Sequence, residues 1–308
     1  MKRLKRPTRL APGARVAVVA PSGPVPGERL RAGLDRLRGW GLDPVAAPHA
    51  LDRHGQFGYL AGTDADRAED LQRAWCDPSV DAVICARGGY GAQRMADLLD
   101  WEEMRAAGPK VFVGFSDITA LHEAFTTRLG LVTLHGPMAA GIDFIGSERA
   151  REHLHATLFT PERVQRITAT DGKPLVPGSA RGTTLGGCLS LLAAELGTPH
   201  ARPSARGGLL CLEDVGEETY RLDRYLTQLL RAGWLDGVRG ILLGSWQDCD
   251  PYDALRPMLA DRLAPLGIPV LEGAGFGHCP DALTIPFGVA AELDADAGTL
   301  TLEEPALR

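Results

Sequence analysis

The chain has 308 residues, 44% of them hydrophobic and 23% charged, with 37 glycines and 22 prolines. That composition excludes a disordered chain and a polytopic membrane protein, and the length gives a prior of about two domains. With 33 basic against 39 acidic residues, the net charge of −6 offers no basic face, and a nucleic-acid partner is not expected. The basic N-terminus (Lys2, Arg3, Lys5, Arg6, Arg9) is followed by an apolar run of only five residues, Val16 to Ala20, before Pro21. That is too short for a signal peptide, and no stretch approaches the ~20 apolar residues of a membrane span. The expectation is a soluble, cytoplasmic protein without a membrane partner.

In chain order, Arg15 to Ala20 reads as a buried strand ending in Pro21-Ser22-Gly23-Pro24. Leu30, Leu34, Leu37 and Trp40 recur at helical spacing before Gly41. Asp64 is placed to cap a helix carrying Leu71 and Trp75, which stops at Asp77-Pro78. Val80 to Ala86 reads as a strand, Tyr90 to Leu99 as a helix, Val111 to Gly114 as a strand, Ile118 to Leu129 as a helix and Leu131 to Leu134 as a strand. Continuous apolar strands alternating with helices predict an α/β fold with a parallel sheet covered on both faces. Ligands of such sheets bind at the C-terminal ends of the strands.

After a helix over Glu148 to Leu158, the polar stretch Thr168 to Gly182 reads as the crossing between domains. The division is therefore 1–165 and 166–308. In the second part, Gly208 to Leu212 and Ile241 to Gly244 read as strands around a helix carrying Leu222, Leu226 and Leu229. Val289 to Leu302 alternates apolar and polar residues around an Asp-Ala-Asp-Ala-Gly turn, as an antiparallel hairpin would. A smaller, mixed α+β or barrel-like second domain is expected.

Several strand ends carry chemistry. Gly114-Phe115-Ser116-Asp117 puts a serine on a strand-to-helix junction, where a sharp turn can present a nucleophilic hydroxyl. Ser116 or Asp117 capping the following helix is the plainer reading. Arg87-Gly88-Gly89-Tyr90-Gly91 lets backbone N–H groups approach a phosphate or an oxyanion, or makes a tight turn; Arg87 can grip a carboxylate or pin the loop. Glu213, in Leu212-Glu213-Asp214, can orient a histidine or cap the helix near Tyr220. His278, in Gly275-Phe276-Gly277-His278, has little packing to justify it between glycines, and His135 ends another strand, where it can line the site or brace its loop. The six cysteines (Cys76, Cys85, Cys188, Cys211, Cys249, Cys279) form neither CxxC nor finger spacing, and no HExxH occurs, so neither a disulfide scaffold nor a metal is expected. A serine, a glutamate and a histidine at separate strand ends are the parts of a nucleophile, an orienter and a base.

The ordered set Ala20-Pro21-Ser22-Gly23, Arg87-Gly88-Gly89-Tyr90-Gly91, Gly114-Phe115-Ser116-Asp117, His135-Gly136-Pro137-Met138, Leu185-Gly186-Gly187, Leu212-Glu213-Asp214 and Gly275-Phe276-Gly277-His278 resembles the serine LD-carboxypeptidases, a family that includes the microcin C self-immunity peptidases. The resemblance runs from about residue 14 to 305. It implies a Rossmann-like N-terminal domain carrying the nucleophile Ser116 and a C-terminal domain carrying Glu213 and the general base His278. It further implies backbone donors at Gly89 and Asp117 for the oxyanion, no cofactor, a homodimer, and a small peptide substrate. That substrate would be the cytoplasmic murein tetrapeptide, cleaved to release D-Ala in peptidoglycan recycling. The alternative within the family is cleavage of peptidyl or aminoacyl adenylate analogues, which calls for an aromatic platform such as Trp246. Glu213 is preferred to Glu217 as the orienter by its strand-end position. Cys188 departs from the asparagine that follows the Gly-Gly pair in many members.

Overall fold

The structure is a computed structural model that describes residues 3–169 and 171–308. The first five strands are β1 (Arg15–Val19), β2 (Asp43–Ala46), β3 (Ala82–Cys85), β4 (Val111–Gly114) and β5 (Thr133–His135), and they pair in the parallel order β2-β1-β3-β4-β5. Alternate residues point into opposite cores. Val16, Val18, Ile84 and Val113 face one cluster, while Val19, Val83, Cys85 and Phe112 join Leu71, Trp75 and Phe125 in the other. Both faces are therefore covered, as the uninterrupted apolar runs require.

The second sheet comprises β6 (Arg166–Thr168), β7 (Lys173–Val176), β8 (Ser179–Cys188), β9 (Gly208–Val215), β10 (Gly240–Gln247) and β11 (Val270–Glu272), followed after β12 (Ile285–Phe287) by β13 (Ala290–Asp294) and β14 (Thr299–Leu302). Its order is β6-β14-β13-β8-β9-β10-β11-β7, parallel from β8 to β11 and antiparallel elsewhere. The two edge strands, β6 and β7, are joined by only four residues, which can span at most about 18 Å. The edges of a flat eight-stranded sheet would stand roughly 33 Å apart. The sheet must therefore curl on itself, which gives the second part its barrel-like form. Helices Leu189–Glu195, Thr219–Arg231 and Tyr252–Leu263 cover its outer face through Leu192, Leu226 and Leu259.

Three local expectations change, and one strand crosses between the two parts of the chain. The stretch from Thr168 to Gly182 is sheet rather than a crossing, because β7 and the start of β8 lie within it. Thr63, not Asp64, caps the helix Asp64–Cys76, through a capping box in which Thr63 Oγ1 accepts from Asp66 N at 3.1 Å. The helix read at Tyr90 to Leu99 contracts to Ala92–Ala96, and a separate helix Trp101–Ala107 follows, capped by Asp100. Finally, β12 comes from the second half of the chain but pairs antiparallel with β5 at the edge of the first sheet.

Strand order reverses between β1 and β3, and the loops leaving those strands meet there: Gly23 N–H donates to Gly88 O at 3.0 Å. This switch point opens the crevice in which parallel sheets bind ligands. A cleft of about 880 Å³ lies over it, lined by Gly88, Gly89 and Ser116 from one sheet and by Gln247, Asp248 and His278 from the other half of the chain.

Candidate active site

Ser116 opens a single 3-10 turn, Ser116–Ile118, directly beyond β4. Its φ of 65° makes it, with Asp248, one of the two non-glycine residues at positive φ among the described residues. That conformation costs about 1–2 kcal/mol and is sustained only where the surroundings impose it. They do so here. A Cβ at Gly114 would lie 2.8 Å from Ile118 Cγ2, and one at Gly88 would lie 2.8 Å from Ser116 Cβ and 3.0 Å from its Oγ. Glycine at both positions lets the turn fold tightly and brings Gly88 against the serine hydroxyl.

The Asp117 side chain does not cap its own helix. Its carboxylate, 2% exposed, accepts from Ser22 Oγ at 2.6 Å and from Ala92 N at 2.8 Å. Burial pushes its pKa up, and those two donors oppose the shift. Asp117 thus ties together the loops that follow β1, β3 and β4. Arg67, also buried, donates to Pro21 O and Gly91 O across the same junction.

His278 arrives from the loop after β11. Its Nε2 lies 3.1 Å from Ser116 Oγ and its Nδ1 lies 2.6 Å from Glu213 Oε2; its backbone N–H also donates to that oxygen at 3.2 Å. Glu213, on β9, is fully buried. The glycine before the histidine now has a reason, since a Cβ at Gly277 would fall 2.4 Å from Glu213 Oε2. Burial alone would raise the Glu213 pKa, but His135 and His278 outweigh it and hold the carboxylate well below the usual range. Burial lowers the His278 pKa, yet the Glu213 hydrogen bond and charge, with Asp214 and Asp143 behind them, leave it raised overall. An ionised Glu213 accepts a hydrogen bond from Nδ1–H and so fixes the tautomer in which Nε2 is free to accept the hydroxyl proton of Ser116.

The structure thus brings Ser116, Glu213 and His278 into one hydrogen-bonded chain beside Gly89 and Asp117. Glu213 does not cap the Thr219–Arg231 helix; Thr219 N and Oγ1 both donate to Asp250 Oδ2 at 2.8 Å. Glu217 is engaged elsewhere, with Tyr225 OH 3.4 Å from its Oε1. Arg87 pins its loop, donating to Pro24 O at 2.8 Å, and it also lines the cleft. His135 does not reach the cleft lining. It is buried 3.7 Å from Glu213 Oε1, too far for a hydrogen bond, and neither ring nitrogen has a partner among the described residues.

Trp246, the aromatic platform considered for an adenylate, is not among the cleft-lining residues. Cys188 instead proves close to the centre, with its Sγ 2.8 Å from Glu213 Oε1. Sequence reasoning also missed Arg29, Asp143, Asp248 and Asp281 in the cleft wall. Only the positive φ of Asp248 marks any of them, and φ is not legible in a sequence. The donor atoms of Cys188, Glu213 and His278 lie within 4.8 Å of one another, but they are committed to hydrogen bonds among themselves.

Comparison with known proteins identifies the family. The family model for the LD-carboxypeptidase N-terminal domain matches residues 16–136, and that for the C-terminal domain matches 181–293. A Streptomyces coelicolor protein provisionally named a carboxypeptidase is 80% identical over 100% of this chain and 99% of its own. The solved muramoyltetrapeptide carboxypeptidase of Oxalobacter formigenes superposes with a TM-score of 0.80 at 31% identity, covering 94% of this chain and 98% of that one. An MccF-like protein of Bacillus anthracis gives a TM-score of 0.84 at 27% identity, covering 96% and 98%. The chain belongs to the LD-carboxypeptidase family and is a serine-type carboxypeptidase, a hydrolase of peptide bonds.

Proposed function

We propose that the enzyme releases the terminal D-Ala of murein tetrapeptides by cleaving the LD-peptide bond with Ser116, His278 and Glu213. The observation that carries this reading is the unbroken chain from Ser116 Oγ through His278 to Glu213 at the wall of the cleft. His278 Nε2 takes the hydroxyl proton as Ser116 Oγ attacks the carbonyl carbon, and Glu213 stabilises the imidazolium that forms. The tetrahedral oxyanion falls to the N–H groups of Gly89 and Asp117, in keeping with the close approach of the neighbouring Gly88 to Ser116 and with Gly89 lining the same cleft. A donor of this kind is typically worth about 3 kcal/mol. His278 returns the proton to the leaving D-Ala amine, the C–N bond breaks, and an acyl-Ser116 ester remains. Water, deprotonated by His278, then hydrolyses the ester.

A carboxypeptidase must also read a terminal carboxylate, and the cations of the cleft wall are Arg29 and Arg87. The same reading has the two parts of the chain divide near residue 165 and the enzyme act as a homodimer in cytoplasmic peptidoglycan recycling. Trp246, the residue considered as an aromatic platform, packs against the apolar cluster beneath the covering helices, and this favours a peptide over an aminoacyl adenylate. A side-by-side assay tests this preference. Murein tetrapeptide should lose D-Ala while aminoacyl-sulfamoyl adenosine survives; turnover of the adenylate analogue alone would transfer the site to the microcin-type reaction.

A further inference from the structure

Glu213 has two carboxylate oxygens and no solvent. Oε2 is taken by His278, through both its ring Nδ1 and its backbone N–H. Oε1 must be satisfied from within the protein, since a buried, unpaired anionic oxygen is costly. Two groups face it. The thiol of Cys188 lies at 2.8 Å, and His135 Nε2 lies at 3.7 Å, beyond hydrogen-bond reach. The backbone fixes the thiol there. Cys188 ends β8 directly opposite Glu213 in the parallel β8–β9 register, and its own N–H donates to Thr119 Oγ1 at 3.0 Å. The two residues before it, Gly186 and Gly187, have φ of 138° and 136°, and Cβ atoms there would strike Cys211 O at 1.9 Å and Thr119 Oγ1 at 2.3 Å.

We infer that Cys188 is a positioning residue for the general base: its S–H donates to Glu213 Oε1, holds the carboxylate edge-on to His278, and sets the pH at which His278 becomes competent. This rests on the triad reading above. The thiol stays a donor, because burial and the Glu213 charge push its own pKa well up. The sign of its effect follows from charge. In the resting enzyme the Glu213–His278 pair carries one net negative charge, which the thiol stabilises. Once His278 is protonated the pair is neutral and the thiol matters less. Removing the donor therefore makes protonation of the pair easier, and the pH at which the base becomes free rises. The other titratable groups facing Glu213, Cys188 and His278 are His135 from β5, Asp214 from β9, Asp143 from the helix Ile142–Gly146, Asp117 and Cys279. None of them is altered in the test.

The test compares pH profiles of kcat/KM for D-Ala release by wild type, Cys188→Ser, Cys188→Val and Cys188→Ala, with Ser116→Ala as the inactive control. Serine keeps a donor; valine keeps roughly the volume without one. The valine and alanine enzymes should show the acid limb moved up by roughly 0.5 to 1 pH unit, a threefold to tenfold loss at the acid end, with KM nearly unchanged. The serine enzyme should retain the wild-type limb. A wild-type limb in the valine enzyme, or a serine enzyme displaced as far as valine, overturns the inference and leaves Cys188 a packing residue. If alanine fails to fold, the serine–valine pair still decides. Activity surviving in Ser116→Ala would instead overturn the triad reading itself.

Discussion

Replacing Glu213 by Gln keeps the shape of the side chain and removes its charge. The site offers Glu213 three donors, His278 Nδ1–H, His278 N–H and the Cys188 thiol, spread over two oxygens. Glutamine has one oxygen, so it can accept from His278 only by turning its amide N–H₂ toward Cys188. The larger loss is electrostatic. An imidazolium and a carboxylate with charge centres about 4 Å apart interact by ~4 kcal/mol at an effective dielectric of ~20. If that interaction is realised in the transition state, kcat falls by about 10³. The pH profile supplies an independent sign. In wild type the carboxylate raises the His278 pKa against the opposing effect of burial. Without the carboxylate burial prevails, and the acid limb of kcat/KM should move to lower pH even as the plateau collapses, opposite to the shift expected of Cys188→Val. Steady-state kinetics of D-Ala release between pH 5 and 9 measures both. A Glu213→Gln enzyme within tenfold of wild type, or an equal loss in Glu217→Gln, would refute the assignment of Glu213 as the orienter.

The strained turn at Ser116 predicts that Ser116→Gly, which tolerates φ of 65°, melts higher than Ser116→Ala by the equivalent of about 1 kcal/mol, both being inactive; equal melting temperatures would mean the turn is unstrained. Gly88→Ala should leave the fold intact by circular dichroism but cut kcat at least 100-fold, since its methyl would displace the Ser116 hydroxyl; near-normal kcat would show that the loop yields freely. Asp117→Ala strands the Ser22 hydroxyl and the Ala92 N–H and should lower unfolding free energy by about 2–3 kcal/mol in urea titration. A loss below 1 kcal/mol there would mean that Asp117 does not hold the three loops together.

The parts of the fold legible in the sequence are those where burial on both faces leaves an unbroken apolar run: β1, β3 and β4 declare themselves, as does the alternating hairpin β13–β14. The edges do not. β6 and β7 are short and largely solvent-facing, so their residues look like a polar crossing. β12 is three residues long with Pro286 at its centre, acceptable only because it lies at the sheet edge. The candidate site was legible where chemistry and glycine coincide. Gly277 before His278, and Gly88 and Gly114 around Ser116, mark places where backbone must approach a working side chain. Cys188 was not, since a cysteine at the end of an apolar strand reads as a small hydrophobe until β8 is seen beside β9. Asp248 was equally opaque, because its position depends on which loops face each other across the cleft.

The proposed reaction makes Ser116 the nucleophile that opens the LD-peptide bond of a murein peptide. Purified murein tetrapeptide incubated with the wild-type enzyme and with Ser116→Ala, followed by mass spectrometry, decides this. The wild type should remove one terminal alanine residue, and the variant should leave the tetrapeptide unchanged. An intact tetrapeptide in both reactions, with the wild type folded, or equal release by the two enzymes, would contradict it.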